Sequence, residues 1–329
     1  MLILIEGADC AGKSVLSGRL IESLRRAEPD ADVRYLHSGP PTEHPLDEYA
    51  WPLTGYRPGT GVHYVCDRWH VGEDVYPRVT GRPTDMTDGV RAWIELFLRS
   101  RGALLVHCDA PDQLLTDCAV ARRDDHTDLL RLPHATRLFR RYVAATTLLP
   151  TLSVDVSDPD RPDYAEIVDE VIGYAAREAR ATVPLTSYVT YVGPSRPSLL
   201  LVGDRRGTIT HDLDEYGDRP AFGPTVGSSG AYLMSTLTVE PLRVATHGVQ
   251  LRDVGLVNAN DVDDVRACWE TLGRPTTVGL GVNARRTLRA VGVPHRSAVH
   301  PQYQRRFLHH SRNTYLRQLL DLVTVEVTA

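Results

Sequence analysis

Runs of apolar residues alternate, in the first half of this chain, with stretches in which apolar residues recur at helical spacing. The runs predict buried strands, which in chain order read MLILIE, VHYVCD, ALLVHCDA and LSVDVS. The longer stretches predict amphipathic helices, namely KSVLSGRLIESLRRA, VRAWIELFLRSR and DYAEIVDEVIGYAAREA. Strands that alternate with helices in this way are typical of a parallel sheet, so we predict an α/β fold.

The alternation stops at a segment with three prolines and then resumes. The segment reads ATVPLTSYVTYVGPSRP, and it predicts a linker over 183–196 between domains at 1–182 and 197–329. Beyond it, the predicted strands are SLLLVGD, VGLVNAND, PTTVGLG and SAVHP. The predicted helices between and after them are SGAYLMSTLT, DDVRACWETLG, NARRTLRAVG and NTYLRQLLDLV. The second domain is therefore also predicted to be α/β.

Composition narrows the class of protein. Hydrophobic residues make up 42% of the chain and charged residues 24%, which is ordinary for a globular protein. There is no apolar run of 18 residues, and MLILIEG lacks the basic start of a secretory signal, so we expect no membrane partner. The five cysteines form no CxxC pair, which favours reduced thiols. Together these features predict a cytoplasmic protein.

Charge is distributed unevenly. Residues 185–329 carry 16 arginines against 13 acidic residues, a balance of +3, so the total of −5 leaves −8 for residues 1–184. Between Arg285 and Arg317 there are eight arginines and no acidic residue. This basic block either binds a phosphate-bearing partner such as DNA or forms a solvated helix face.

The segment GADCAGKS fits the phosphate-binding loop pattern G-x-x-x-x-G-K-[ST], and it lies between a predicted strand and a predicted helix. We predict that Gly7, Ala11, Gly12, Lys13 and Ser14 bind the phosphates of ATP. The glycines would let backbone N–H groups turn toward phosphate oxygens at a helix N-terminus. The hydroxyl of Ser14 would be a ligand of Mg²⁺.

Lys13 is the only lysine in the chain, although arginine is abundant. A tight phosphate loop needs a compact point charge that reaches the β and γ phosphates. A guanidinium is planar and directs its donors in a fixed fork. The single lysine therefore stands where an arginine could not replace it.

The sequence around this loop resembles thymidylate kinases. The run IEGADCAGKS is similar to their EGxDGxGKT loop, with Asp9 at the loop aspartate. The run VCDRWHVGEDVYP resembles the DRY…S…AYQ segment and places Asp67 and Arg68 on its Asp-Arg pair. The run LLVHCDAPDQLLTDCAVARRDD resembles the approach to the arginine-bearing lid and nominates Arg122 and Arg123. The resemblance covers residues 1–178.

The resemblance implies a role for each matched residue. Asp9 would hold the sugar 3′-hydroxyl of the acceptor, and Arg68 would engage its phosphate. Asp67 would join Ser14 as a metal ligand. Lys13, Arg122 and Arg123 would neutralise the transferred phosphoryl group. Because thymidylate kinases are commonly dimeric, the resemblance also implies a homodimer.

Two departures from the family pattern bear on the base. Cys10 stands where the family has a glycine, and Val75-Tyr76-Pro77 stands where it has AYQ. A glutamine near the base is thereby lost, which favours a different or modified pyrimidine. Glu73 and Asp74 either read base or sugar hydroxyls or form an acidic surface loop.

The second domain resembles the uracil-DNA glycosylase superfamily in five motifs. LLLVGDRRG matches the first motif at Asp204, RPAFGPTVGSSGAYLMSTL places Phe222 on the base-stacking aromatic, and VGLVNAND places Asn258 on the base-reading asparagine. TVGLGVNARRTLRAVGV follows, and SAVHPQYQRRF carries His300 of the second motif. The resemblance implies a base site at Asp204, Phe222, Asn258 and His300.

The sequence thus favours a fused protein, a combination that looks like nucleotide metabolism in a bacterium or a phage-infected cell. Its P-loop kinase domain would phosphorylate a pyrimidine deoxynucleoside monophosphate, dTMP or a modified dUMP analogue, from ATP and Mg²⁺, and its second domain would recognise a base or DNA. One alternative is a kinase that acts on a hydroxymethylated pyrimidine in DNA, as in phage hypermodification. Another is a repair or nucleotide-binding switch module with an active glycosylase domain.

Overall fold

The computed structural model describes residues 1–42, 44–122, 131–158, 160–185, 188, 190–204, 221–224, 228–239, 249–259, 265–308 and 312–324. Contacts divide the chain into two compact units. Unit 1 comprises Met1–Met86 and Arg101–Val183, and unit 2 comprises Thr87–Ser100 and Pro184–Ala329. The domain bounds 1–182 and 197–329 remain predictions. No helix in the described ranges is long and apolar enough to cross a membrane.

Unit 1 is built on a five-stranded parallel sheet. Its strands are β1 (Leu2–Glu6), β2 (Asp32–His37), β3 (Val62–Asp67), β4 (Ala103–Cys108) and β5 (Thr151–Val154). Its helices are α1 (Lys13–Ala27), α2 (Pro45–Tyr49), α3 (His70–Thr80), α5 (Asp112–Arg122), α6 (Leu132–Ala145) and α7 (Tyr164–Thr182). The strand order is β2-β3-β1-β4-β5, with every pairing parallel.

The sheet forms as the apolar runs predict. All five residues of β1 and all six of β4 are buried, which is the burial that a central parallel strand requires. Helix α1 buries Leu16, Leu20 and Leu24, whose spacing of four residues places them on one face. Strand β2 contains no apolar run and is not predicted from the sequence, because it is an edge strand in which one residue, Val33, is buried.

Unit 2 has a four-stranded parallel sheet in the order β7-β6-β8-β9. The strands are β6 (Leu199–Gly203), β7 (Val254–Asn258), β8 (Thr276–Leu280) and β9 (Arg296–Ala298). The helices are α4 (Asp88–Ser100), α8 (Ser229–Val239), α9 (Val265–Thr271), α10 (Val282–Ala290) and α11 (Arg312–Thr324), with one further turn of helix at Pro301–Tyr303. The predicted α/β character of both halves is confirmed.

Helix α4 is buried along almost its whole length. In unit 2 the indole N–H of Trp93 donates to the carbonyl of Ala221 at 2.9 Å. The Cα of Gly89 lies so close to α8 that an added Cβ would be 3.1 Å from the nitrogen of Ser235. Burial on more than one side explains why this segment reads as apolar rather than as a half-polar surface helix.

Each sheet has a point at which its strand order reverses. In unit 1 the first strand, β1, lies between β3 and β4, and in unit 2 the first strand, β6, lies between β7 and β8. In open parallel sheets the crevice for ligands lies outside the carboxyl ends of the strands at such a point. Both groups of predicted site residues follow these strand ends.

Candidate phosphate-binding and acceptor sites

The loop from Gly7 to Gly12 leaves the end of β1 and enters α1 directly. Gly7 has φ 149° and Gly12 has φ 84°, which is the backbone range that favours glycine. A Cβ on Gly7 would overlap the carbonyl oxygen of Cys108, and one on Gly12 would overlap that of Val156. The two glycines are therefore required for the loop to pack against the neighbouring strand ends, and the cradle that results is the shape expected of a phosphate loop.

Lys13 is the first residue of α1 and is buried. Its Nζ donates to the carbonyl oxygens of Gly7 at 2.9 Å and Ala8 at 2.6 Å. Burial lowers the pKa of this lysine, and the charge of Asp9 opposes the shift. The ammonium is thus held inside the curve of the loop by two carbonyl dipoles, where a phosphate would offer it a full negative charge.

Ser14 is linked to the end of β3. Its Oγ donates to Oδ2 of Asp67 at 2.9 Å, and the hydroxyl of Tyr35 donates to the same oxygen at 3.1 Å. Burial, followed by the charge of Asp67, raises the pKa of Tyr35 to about 12, so the hydroxyl keeps the proton that it donates. Nδ1 of His37 lies 3.8 Å from the same carboxylate oxygen.

The pair formed by Ser14 and Asp67 fits a magnesium ion that is bound together with phosphates. Within the described ranges Oδ1 of Asp67 is buried and has no hydrogen-bond partner. Hard divalent cations take oxygen ligands, and Mg²⁺ commonly binds through one carboxylate, a hydroxyl, water and substrate phosphate oxygens. No group of three or more His, Cys, Asp or Glu in the same ranges could hold a metal. The two protein oxygens therefore suit a cation that a nucleotide brings with it.

Asp9 and Arg68 meet at the outer side of the loop. Nη2 of Arg68 donates to Oδ1 of Asp9 at 2.8 Å. Arg68 has φ 63°, and Cys10 beside Asp9 has φ 66°, so both are non-glycine residues in a costly backbone region. Cys10 thus keeps the glycine-type conformation that the resemblance implies at its position. Such conformations concentrate at functional sites.

Glu6 fixes the backbone that follows Arg68. Its Oε1 accepts hydrogen bonds from the N–H groups of Trp69 at 2.9 Å, Val71 at 2.9 Å and Gly72 at 3.2 Å. Burial raises the pKa of Glu6, and the charge of His70 and the backbone donors oppose that shift. The side chain caps the start of α3 and thereby sets where Arg68 stands. Glu6 stands at the glutamate of the EGxDGxGKT pattern, but the pattern assigns it no role, so its cap on α3 becomes visible only in the fold.

Glu73 and Asp74 are each held by an arginine. Glu73 accepts two bonds from the guanidinium of Arg82, the shorter at 2.5 Å, and one from the hydroxyl of Thr84. Asp74 accepts a bond from Nη2 of Arg78 at 2.9 Å, four residues along α3. Both acids lie on helix α3, not in the surface loop that was one of the sequence alternatives.

The predicted lid can be followed only to its beginning. Arg122 is the last residue of α5, and its side chain and Arg123 lie outside the described residues. The start of α5 is fastened by Arg140, which donates to Asp109 at 2.8 Å and to Asp112 at 3.0 Å. The roles given to Arg122 and Arg123 remain predictions.

In unit 2, Asp204 follows β6 and binds the start of α10. Its Oδ1 accepts from the backbone N–H of Ala284 at 2.5 Å. Gly281 precedes α10 with φ 107°, and a Cβ there would overlap the carboxylate of Asp204. A carboxylate at a helix N-terminus is stabilised by the unpaired N–H groups and by the helix dipole.

His300 lies near Asp204 at the carboxyl end of β9. Its Nδ1 accepts from the N–H of Gln302 at 3.2 Å. Burial lowers the pKa of His300, and the charge of Asp204 opposes the shift. Both side chains line one cavity of about 550 Å³ at the reversal point of the sheet. The structure thus brings together these two members of the predicted base site.

Phe222 and Asn258 form a separate group beside Gly203. A Cβ on Gly203 would overlap the ring of Phe222 and would lie 2.6 Å from Oδ1 of Asn258. Phe222 is 8% exposed and Asn258 is 4% exposed. Neither residue lines the cavity that contains Asp204 and His300. Their predicted roles in stacking on and reading a base remain predictions.

No family model and no curated protein matches the sequence. Among solved structures, the chain is similar to YorR from Bacillus subtilis in complex with phosphorylated GDP, at 19% identity over 55% of this chain and 98% of that chain, with a TM-score of 0.40. It is also similar to deoxyadenosine kinase from M. mycoides with products dCMP and dCDP bound, at 13% identity over 53% and 97% of the two chains, with a TM-score of 0.32. A third similarity is to a putative polyphosphate kinase 2 from Pseudomonas aeruginosa, at 12% identity over 98% and 90%, with a TM-score of 0.40. At these values the similarities carry no weight for function, which is inferred below from the chain's own residues.

Proposed function

We propose that the chain is a kinase that transfers the γ-phosphoryl group of ATP, with Mg²⁺, to the phosphate of a pyrimidine deoxynucleoside monophosphate. The acceptor would be dTMP or a modified analogue of dUMP. The observation that carries the proposal is the loop itself, which joins a buried ammonium at Lys13, the Ser14–Asp67 pair and the Asp9–Arg68 pair. A loop that only stored a nucleotide would not need the last pair.

The donor side of the reaction relies on charge and position. Lys13 would exchange a loop carbonyl for a phosphate oxygen and so neutralise the β and γ phosphates without leaving the loop. The glycine backbone would add N–H donors at the N-terminus of α1. Mg²⁺, held through Ser14 and Asp67, would supply further neutralisation of the phosphate charges.

The acceptor side relies on the pair outside the loop. Arg68 would bind the acceptor phosphate as a charge-assisted partner, and Asp9 would accept a hydrogen bond from the sugar 3′-hydroxyl. The reaction breaks the bond from the γ-phosphorus to the bridging oxygen, whose electron pair leaves with ADP. A new bond forms from that phosphorus to an acceptor phosphate oxygen. Since a phosphate monoester is largely a dianion at neutral pH, this oxygen needs no general base.

The test is ATP consumption by the full chain against a panel of acceptors. The panel contains dTMP, dUMP, 5-hydroxymethyl-dUMP, dCMP, the nucleosides, and DNA with and without hydroxymethylated bases. We expect turnover on a free monophosphate that Lys13→Ala abolishes. Arg68→Ala should raise KM for the acceptor by about tenfold or more, because it removes a charged hydrogen bond. Arg78→Ala is the matched control, since Arg78 is also exposed and paired with an aspartate.

Turnover on nucleosides but not on monophosphates would contradict the proposed acceptor while leaving a kinase. No Lys13-dependent turnover on any member of the panel would contradict kinase activity altogether. An equal effect of Arg68→Ala and Arg78→Ala would contradict the role of Arg68.

A second candidate is a kinase whose acceptor is a hydroxymethylated pyrimidine within DNA, with unit 2 recognising the base or the strand. The basic block from Arg285 to Arg317, which contains no acidic residue, favours it. Turnover only on hydroxymethylated DNA would support this candidate. DNA affinity that falls steeply as salt rises would support the phosphate contacts that it requires.

A further inference from the structure

Two of the eight arginines in the basic block line the cavity of unit 2, and they come from different elements. Arg285 lies on α10, and Arg306 lies in the helical turn Gln304–Leu308 that follows β9. Nε of Arg285 donates to the carbonyl of Gly281 at 3.0 Å. In the part of the chain that the structure describes, no carboxylate forms an ion pair with either guanidinium, so both can meet an anion from solution.

The walls of this cavity are fixed by hydrogen bonds to backbone. Asp204 holds the start of α10, and the hydroxyl of Tyr315 donates to the carbonyl of Val299 at 2.6 Å. His300 caps the turn that begins at Pro301. Because these bonds tie the cavity wall to β6, β9 and α11, the two arginines and Tyr303 project from positions that are set before a ligand arrives.

The polar atoms on the wall favour an oxyanion. Since Nδ1 of His300 accepts from the backbone, the neutral ring carries its proton on Nε2, where it can be donated to a ligand oxygen. The amide of Gln302 lies beside it on the cavity wall. Among the described residues that line the cavity, Asp204 is the only carboxylate, and its charge is already met by the N-terminus of α10.

Tyr303 adds an aromatic surface. Its side chain lines the cavity and is 52% exposed. Two arginines, a neutral imidazole N–H and a half-exposed aromatic ring are the groups that recognise a phosphate joined to a flat heterocycle. A volume of about 550 Å³ suits one such unit.

We propose that this cavity binds a single mononucleotide, with Arg285 and Arg306 on its phosphate monoester and Tyr303 against its base. A monoester is favoured over a strand because its double charge matches the two guanidinium groups that line the cavity. A strand needs a line of cations, yet the exposed Arg286 and Arg289 on the same helix lie outside the cavity. The site shares no residue with the phosphate loop of unit 1, and it does not depend on the proposed kinase activity.

The experiment measures dTMP binding to the full chain by calorimetry in a Lys13→Ala, Arg68→Ala background, which disables the sites proposed in unit 1. We expect Arg285→Ala with Arg306→Ala to weaken binding by about tenfold or more, as the loss of charged hydrogen bonds predicts. Arg286→Ala with Arg289→Ala is the matched control, because it removes the same charge from exposed positions and should leave binding within about twofold. Tyr303→Ala should weaken binding about fivefold or more, and Tyr303→Phe should preserve it.

Competition identifies the ligand class. Thymidine should compete poorly and inorganic phosphate weakly, whereas dTMP should compete fully. Equal losses in the two arginine pairs would overturn the proposal in favour of a diffuse basic surface. Tighter binding of a ten-nucleotide oligothymidylate that depends on all four arginines would overturn it in favour of a DNA strand. Unchanged binding in both pairs would place dTMP elsewhere and also overturn it.

Discussion

Both sheets form a polar site at the end of their first strand, but one site is built from a single short segment and the other from several distant segments. Each places its first strand at the reversal point of a parallel order and gathers polar groups at the carboxyl end of that strand. In unit 1 the glycines, the ammonium and the hydroxyl come from eight consecutive residues, 7–14. In unit 2 the carboxylate, the imidazole and the guanidinium groups come from segments around 204, 285, 300 and 306.

The cations differ in the same way. Lys13 is buried and bonded to two carbonyls of its own loop, whereas Arg306 is exposed on the rim of a cavity. A buried cation must be small, because a larger group would displace the closely packed backbone around it. An exposed cation can be a guanidinium, whose wide fork then helps to grip an oxyanion. The comparison predicts that unit 1 tolerates substitution much less well than unit 2.

The largest expected effect is at the ammonium. Lys13→Arg keeps the charge but enlarges the head group, and we expect ATP turnover to fall by about a hundredfold or more, as for other preorganised donors. The measurement is kcat on the best acceptor of the panel, with circular dichroism as the check on folding. Full activity in Lys13→Arg would show that the loop has room for a guanidinium and would contradict the predicted difference in tolerance between the two units.

The next effect concerns glycine in the loop. Gly12→Ala places a Cβ against the carbonyl of Val156 at a positive φ, so we expect a loss of about 2 kcal/mol or more in the free energy of unfolding. Gly18→Ala is the matched control on α1, where an added Cβ meets nothing within 4 Å. It should gain about 0.5–1 kcal/mol, since alanine is the better helix former. Urea unfolding measures both, and similar shifts for the two variants would contradict the close packing of the loop.

A smaller effect is expected at Tyr35. Tyr35→Phe removes one of the two hydroxyl donors to Oδ2 of Asp67 without opening a cavity. The remaining bond from Ser14 should keep the carboxylate in place, so we expect nucleotide affinity in the presence of Mg²⁺ to fall about two- to fivefold. Calorimetry with and without Mg²⁺ distinguishes a loss of affinity that depends on the cation from one that does not. A loss that is equal without the cation would contradict a role in positioning a metal ligand.

The smallest effect compares one histidine in each unit. Burial lowers the pKa of His107 and of His300 below 6.5, the ordinary value for histidine. In both cases the unfolded ring takes up a proton at a higher pH than the folded ring. Their contributions to stability are therefore complete above pH 6.5 and are lost as pH falls below it. Titration of the ring protons by NMR tests this, and a midpoint above 6.5 for either ring would contradict it.

The sequence was most informative where one short segment carries both the fold and the chemistry. The eight apolar runs all became strands, and the fifteen residues from Lys13 to Ala27 became α1. Strand β2 was missed because an edge strand buries too little to form an apolar run. Helix α3 was missed because Gly72 and Pro77 weaken its helical pattern, which the cap from Glu6 offsets only after folding.

The candidate sites show the same difference between residues within one segment and residues that only the fold brings together. The loop residues could be read from spacing, since the phosphate loop is a local motif. The Ser14–Asp67 and Asp9–Arg68 pairs join residues 53 and 59 positions apart. The family resemblance nominated these four residues, and the contact between Asp9 and Arg68 was found only in the fold. For the cavity of unit 2, the family resemblance pointed to Asp204 and His300 but not to the other residues that line it. Tyr303 and Arg306 belong to no motif, and only the fold places them on the wall of the cavity that also contains Asp204.

The burial of Lys13 also makes it a chemical reporter. Because Lys13 is the only lysine, an acylating reagent finds one side-chain amine in the whole chain. The residue is 6% exposed, and its amine donates to two carbonyls of the loop. The rate of acylation at Lys13 would therefore report how often the loop opens. A nucleotide that slowed the reaction further would reveal its own occupancy without a label, an engineered residue or an enzymatic assay.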